Sequence, residues 1–227
     1  MPISLAEIAN IHPKLFHMAQ FGSWPLIRAQ GLLSTSALLD LYGIDGNERA
    51  RIECSLRRKP VQITTADGNS AWIRDQRPMS EGKLASCLKD GLTPTQWFRM
   101  LNERVFFWLT EARLKTLMQA YSDSPQLILE VDTSALLATH GDKVYLTPMN
   151  TGCTSPMAFP RGLSSFLPPN EYPFIENCKK KGGRQKAIVE LTVLRSVPNI
   201  ADLTIRANHR EIRDGEFAAL KTLYERG

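Results

Sequence analysis

The chain has 227 residues, 43% hydrophobic and 22% charged, the make-up of an ordinary globular protein and not of a disordered or fibrous one. Its net charge of +5 is too modest to specify a nucleic-acid partner by itself. No apolar run approaches the roughly 18 residues that a bilayer crossing needs. Met1-Pro2-Ile3-Ser4-Leu5-Ala6-Glu7 has neither a basic n-region nor a signal-like apolar stretch, so a cytoplasmic protein without membrane contact is expected. Cys54, Cys87, Cys153 and Cys178 are scattered, with no C-x-x-C, and the four histidines show no H-x-x-x-H. A structural metal is therefore not expected, and free thiols suit a reducing compartment.

Taken in chain order, Ser4-Leu5-Ala6-Glu7 is a capping-box pattern that starts a short helix ended by Pro13. Residues 14–18 read as extended. Ser23 and Pro25 open a helix that Gly31 closes, and a further helix spans 35–42, stopped by Gly43. Asp67-Gly68-Asn69 lies between two extended runs, 61–65 and 71–74, which is a hairpin signal. Helices are expected over 81–90 and 94–102, a strand over 104–109, and a helix from Thr110 to about Tyr121. Strands follow at 126–131 and 143–147. From 148 to about 185 the chain is rich in Pro, Gly, Ser and Asn without a period, the mark of a functional loop. Strands at 187–194 and 202–206 come next. Asp214 then reads as the cap of an amphipathic helix with Phe217, Leu220, Leu223 and Tyr224 inward. The expectation is one α+β domain over 1–227, helices mostly early and strands mostly late.

Several familiar chemistries are missing: there is no G-x-G-x-x-G after a strand, no P-loop and no G-x-S-x-G elbow. What remains is a set of residues that their surroundings make conspicuous. Glu190 stands in the apolar run Ile188-Val189-Glu190-Leu191-Thr192-Val193, where a carboxylate must find a partner, face a cleft, or lie on the solvent side of an edge strand. His17 stands in another, Leu15-Phe16-His17-Met18-Ala19, as a satisfied core residue or a site residue. Trp72-Ile73-Arg74-Asp75-Gln76-Arg77-Pro78-Met79 offers guanidinium forks suited to phosphate or ribose, or else an ion-paired hairpin exit. Lys179, Lys180 and Lys181, with Gly182, Gly183 and Arg184, form a basic loop that suits a phosphate backbone or plain solvent. Asn150 and Thr151 are loop caps or ligand contacts.

Taken together these segments resemble the DarT-like group of the ADP-ribosyltransferase superfamily, toxins that modify nucleic acid using NAD. Leu15-Phe16-His17-Met18 with Leu26-Ile27-Arg28-Ala29-Gln30-Gly31-Leu32-Leu33-Ser34 is similar to that group's strand–helix entry. Val105-Phe106-Phe107-Trp108-Leu109 looks like its second signature strand. Gln185-Lys186-Ala187-Ile188-Val189-Glu190-Leu191-Thr192-Val193 with Val197-Pro198 looks like the basic loop and strand that hold its catalytic glutamate.

The resemblance implies a split mixed β-sheet with surrounding helices and an NAD cleft. Glu190 and Arg74 would then be catalytic. His17, Ala19, Gly31, Leu32, Phe107 and Arg77 would hold NAD, with Phe107 or a neighbour on nicotinamide. Asn150, Lys179, Lys180, Lys181 and Arg184 would bind a single-stranded DNA or RNA substrate, and the 155–186 loop would recognise it, with Phe159, Phe166 or Tyr172 stacking a splayed base. An antitoxin protein is the implied partner. The rival readings are a protein-modifying transferase, a non-catalytic nucleic-acid-binding module on the same scaffold and, behind them, an RNA 2′-phosphotransferase.

Overall fold

The computed structural model describes every residue except Pro78. The Ser4 hydroxyl accepts the Glu7 N–H to start α1 (Leu5–Ile11), and the chain passes Pro13 into β1 (Lys14–Gln20). α2 (Trp24–Gln30) ends at Gly31, which leads into β2 (Leu32–Leu33). α3 (Thr35–Leu41) and α4 (Gly46–Glu53) follow. No local pattern marks α4, because its apolar side reduces to Ile52. β3 (Val61–Thr64) and β4 (Ser70–Ile73) form the expected hairpin. α5 (Glu81–Cys87) precedes α6 (Pro94–Asn102), which Thr93 and Gln96 start with a complete capping box. β5 (Arg104–Trp108), α7 (Glu111–Gln119), β6 (Gln126–Asp132), α8 (Thr133–His140) and β7 (Val144–Thr147) complete the middle of the chain.

The 148–185 stretch is not a bare loop: it contains α9 (Phe174–Lys181), with α10 (Arg184–Ala187) at its end. Phe174 and Asn177 are buried and Gly182 takes the left-handed conformation that closes α9. The Pro- and Gly-rich surroundings hide this two-turn amphipathic pattern. β8 (Glu190–Leu194), β9 (Ser196–Val197), α11 (Ile200–Leu203), β10 (Thr204–Arg213) and β11 (Glu216–Glu225) end the order.

β11 corrects the expected last helix. Asp214 and Gly215 both have positive φ, +50° and +78°, and turn the chain back as a hairpin with Arg213 opposite Glu216. Pairing with β10 outweighs the 3–4 spacing of Phe217, Leu220, Leu223 and Tyr224, and Leu220 is left exposed.

The protein is thus α+β, built on a seven-stranded sheet in the order β11-β10-β6-β1-β5-β8-β7. Every pairing in this sheet is antiparallel, so the expected mixed pairing is not found there. β1 is central. It pairs with β6 along its whole length, from Lys14↔Asp132 to Gln20↔Gln126, but with β5 only at Phe16↔Trp108. The sheet is therefore two blocks joined at one residue pair.

Leu15, Phe107, Leu129 and Leu191 belong to the largest core cluster. Phe16, Met18 and Ile128 belong to another, with Leu114, Met118 and Tyr121 from α7 and its exit. Each such buried side chain contributes about 1.5–3 kcal/mol. Smaller cores lie under α6 and under the β3–β4 hairpin. Among the described residues no helix is long and apolar enough to cross a membrane.

Candidate functional site

A cleft of about 350 Å³ opens where β1 and β5 part. His17, Met18 and Ala19 of β1 line it together with Phe106 and Trp108 of β5. Around them stand α2, the Gly31–Ser34 turn, residues 71–77, Asn150, Gly152 and Glu190. Gly31 is required here on two counts. Its φ is +86°, and a Cβ would meet Pro198 Cα at 2.5 Å, so backbone from the two ends of the sequence touches at the cleft rim.

Glu190 is 3% exposed. It opens β8, an inner strand between β5 and β7, with Trp108 opposite on one side and Thr147 on the other, so an edge-strand position is ruled out. Oε2 accepts the Thr151 N–H (3.1 Å) and the Thr151 hydroxyl (2.7 Å), with Thr147 Oγ1 at 3.2 Å. Burial pushes the carboxyl up to about 7, against these donors and the nearby positive charge of Arg113.

His17 Nδ1 lies 2.8 Å from the Phe106 carbonyl oxygen, which can only accept, so Nδ1 carries the proton and Nε2 is an acceptor. Burial, with Arg74 nearby, lowers its pKa to about 4, although the Phe106 bond favours the charged form; the ring is neutral at neutral pH. The bond also spans the gap between β1 and β5.

The Arg74–Arg77 run is both an ion-paired exit and a cleft wall. Arg77 donates to buried Asp75 (2.6 Å) and reaches Asp123 (3.3 Å). Tyr121 donates its hydroxyl proton to the other Asp75 oxygen (2.6 Å), and burial raises the phenol to about 12. Arg74 lies over the Tyr121 ring, 4.3 Å from its centroid, with one long bond to the Met18 carbonyl (3.4 Å). Among the described residues it has no carboxylate partner, and burial disfavours its charge. Arg57 holds this segment in place, donating to the Arg74 carbonyl (3.0 Å) and to Asn102 Oδ1 (2.9 Å). Pro78 of the same sequence run lies outside the described residues.

His17, Ala19, Gly31, Leu32, Arg74, Arg77, Asn150 and Glu190 thus share one cleft. Phe107 does not join them. It is 1% exposed in the core, because alternation along β5 turns its neighbours Phe106 and Trp108 to the cleft instead. Phe166 and Tyr172 are also core residues and cannot stack a base, whereas Phe159 is 54% exposed.

Lys179, Lys180 and Lys181 form the last turn of α9, where cations offset the helix dipole, and are not in a loop. Arg184 pairs with Glu7. None of these four lines the cleft. Sequence reasoning missed Arg57 and Tyr121 as supports and Thr147 as a neighbour of Glu190. Only the last had a signal, since a buried acid demands donors from nearby strands.

Among the described residues no group of three or more His, Cys, Asp or Glu could hold a metal ion. No curated protein matches the chain. A family model does match over residues 13–204, which covers every cleft residue from His17 to Glu190 and leaves out most of the β10–β11 hairpin. The chain belongs to that family, which is described as a family of unknown function, DUF7002.

Proposed function

We propose that this chain is an NAD-dependent mono-ADP-ribosyltransferase that modifies a base in DNA or RNA, a bacterial toxin or anti-phage effector held in check by an antitoxin protein. One observation carries the reading. Among the described residues, a buried carboxylate, a neutral imidazole whose Nε2 acceptor is free and an arginine without a carboxylate partner line the same cleft. In this reading the one-pair junction of β1 and β5 is the split of an ADP-ribosyltransferase-like sheet, and the cleft receives NAD.

The bond from nicotinamide to ribose C1′ breaks, with its electron pair going to the ring nitrogen. Positive charge develops on the ribose as in glycoside hydrolysis. The ionised Glu190 stabilises that charge and holds the 2′-hydroxyl. The acceptor base attacks C1′, and its proton passes to Glu190 or to water. His17 Nε2 accepts from an adenosine ribose hydroxyl, and Arg74 supplies charge to the pyrophosphate. Phe106 and Trp108 replace Phe107 as the flat surfaces for nicotinamide. The last turn of α9 and the exposed Phe159 and Met157 meet the nucleic acid outside the cleft.

The test is labelled NAD with single-stranded DNA, RNA or cell-extract protein, beside Glu190→Gln. Label on one nucleic acid, lost in the variant, is expected. A Lys179→Glu, Lys180→Glu, Lys181→Glu triple variant should lose that label and its salt dependence. A protein acceptor is the second reading, favoured by the cleft wall excluding these three lysines and Arg184; it predicts label on protein, unchanged in the triple variant. Folded protein that releases no nicotinamide would refute both and leave a binding module.

A further inference from the structure

Glu190 is held by one oxygen only. Both Thr151 donors reach Oε2. Thr147 has a single hydroxyl proton and a nearer acceptor, the Met149 carbonyl at 2.5 Å against 3.2 Å for Oε2, so Thr151 carries the carboxylate alone. Oε1 has no protein partner among the described residues, and Glu190 lines the cleft.

Thr151 is fixed in turn from behind. Arg161 is 2% exposed and has no carboxylate partner among the described residues. Its guanidinium donates to three backbone carbonyls, those of Thr151 (2.9 Å), Cys153 (2.9 Å) and Phe159 (3.1 Å). Its own backbone is pinned to the end of α5, accepting from Lys89 N–H (2.9 Å) and donating to the Cys87 carbonyl (3.0 Å). A buried guanidinium without a counter-charge is costly to keep, and here two of its bonds, to Thr151 and Cys153, brace the turn that grips Glu190, while the Trp97 ring lies beside it at 5.9 Å.

We infer that Thr151 and Arg161 are positioning residues that seize Oε2 and present Oε1 as the single working oxygen of Glu190. The inference rests on the proposed transferase reading for its purpose, but the clamp itself is measurable without it. The charge that acts on Glu190 is that of Arg113 from α7; Arg74, Arg104 and the neutral His17 line the same cleft, and none of the four is changed by a substitution at Thr151. Loss of a donor to the ionised form raises the carboxyl's midpoint, and the surrounding charges do not compensate.

The experiment is a pH titration of the Glu190 side-chain carboxyl by carbon NMR in the full chain, assigned with Glu190→Gln, alongside nicotinamide release from NAD. Thr151→Val should move the midpoint up by about one unit, because one charge-assisted bond is lost. It should also move the acid limb of the rate profile with it and lower kcat about 10–100-fold, with a smaller change in KM. Thr151→Ser should restore all three. Arg161→Lys, which keeps the charge but cannot reach three carbonyls, should shift the midpoint in the same direction and covers the case in which the valine variant fails to fold. A midpoint unmoved in Thr151→Val or Arg161→Lys overturns the clamp, whatever the enzyme does. A shifted midpoint in a protein that releases no nicotinamide upholds the clamp and overturns the transferase reading.

Discussion

Replacing Glu190 by Gln should stabilise the protein, and only above acidic pH. The carboxyl's pKa rises from 4.5 to about 7 on folding. Below pH 4.5 it is neutral in both states. Between 4.5 and 7 the unfolded chain releases the proton while the folded one retains it, so stability falls as pH rises and then levels off above 7. At 1.36 kcal/mol per unit, the full loss is about 3 kcal/mol. Glutamine avoids this loss. Its amide oxygen takes the Thr151 donors, and its NH₂ stands where Oε1 faces the cleft. The gain over wild type should thus be near zero at pH 4 and about 3 kcal/mol at pH 8, or about 6–12 °C in Tm for a chain of this size. Thermal unfolding followed by circular dichroism from pH 4 to 8.5, read as variant minus wild type, measures it. A difference that is flat with pH, or that grows toward acid, would refute the buried, singly held carboxylate.

His17 acts in the opposite sense over nearly the same range. Its pKa falls from 6.5 to about 4, so stability is present above 6.5 and is lost as pH falls toward 4. His17→Gln should remove that acid sensitivity, about 2 kcal/mol of it between pH 7.5 and pH 5, read by urea unfolding at the two pH values. Gly31→Ala should lower stability by about 1–3 kcal/mol, since its Cβ meets Pro198 and its φ is left-handed; an unchanged urea midpoint would count against that close approach. Tyr121→Phe takes a donor from buried Asp75 and should reduce stability by about 1–3 kcal/mol, with Arg77 still paired; urea unfolding at neutral pH reads it.

Much of this architecture was legible where a local rule and the packing agree. The Ser4, Thr93 and Thr110 caps, the Asp67-Gly68 hairpin and the apolar strands β1, β5 and β6 are all of that kind. Glu190 was conspicuous because an acid in an apolar strand is costly wherever it goes. The failures came where tertiary context decides. Asp214-Gly215 carries the same turn signal as Asp67-Gly68, but Asp214 also suits a helix cap, and the spacing of Phe217, Leu220 and Leu223 is helical. Phe107 and Phe106 differ only in which side of β5 they occupy, and register alone fixes that. Asp75 and Tyr121 are invisible as a pair, since nothing local brings them together. Arg161 gave no hint either, because its role depends on carbonyls that only the folded turn presents.

The cleft also has a timing. β1 is made well before its partners β5 and β6, and Glu190 and Pro198 follow later still. An apolar central strand must wait until both partners have been made before its edges are covered, and sequence-distant pairing of this kind favours slow folding. A nascent chain that has passed Arg74 but not reached Glu190 holds His17 and Arg74 without the carboxylate. In the proposed reading the cleft is unarmed until Glu190 has been made, which leaves an interval in which a restraining partner can meet the chain.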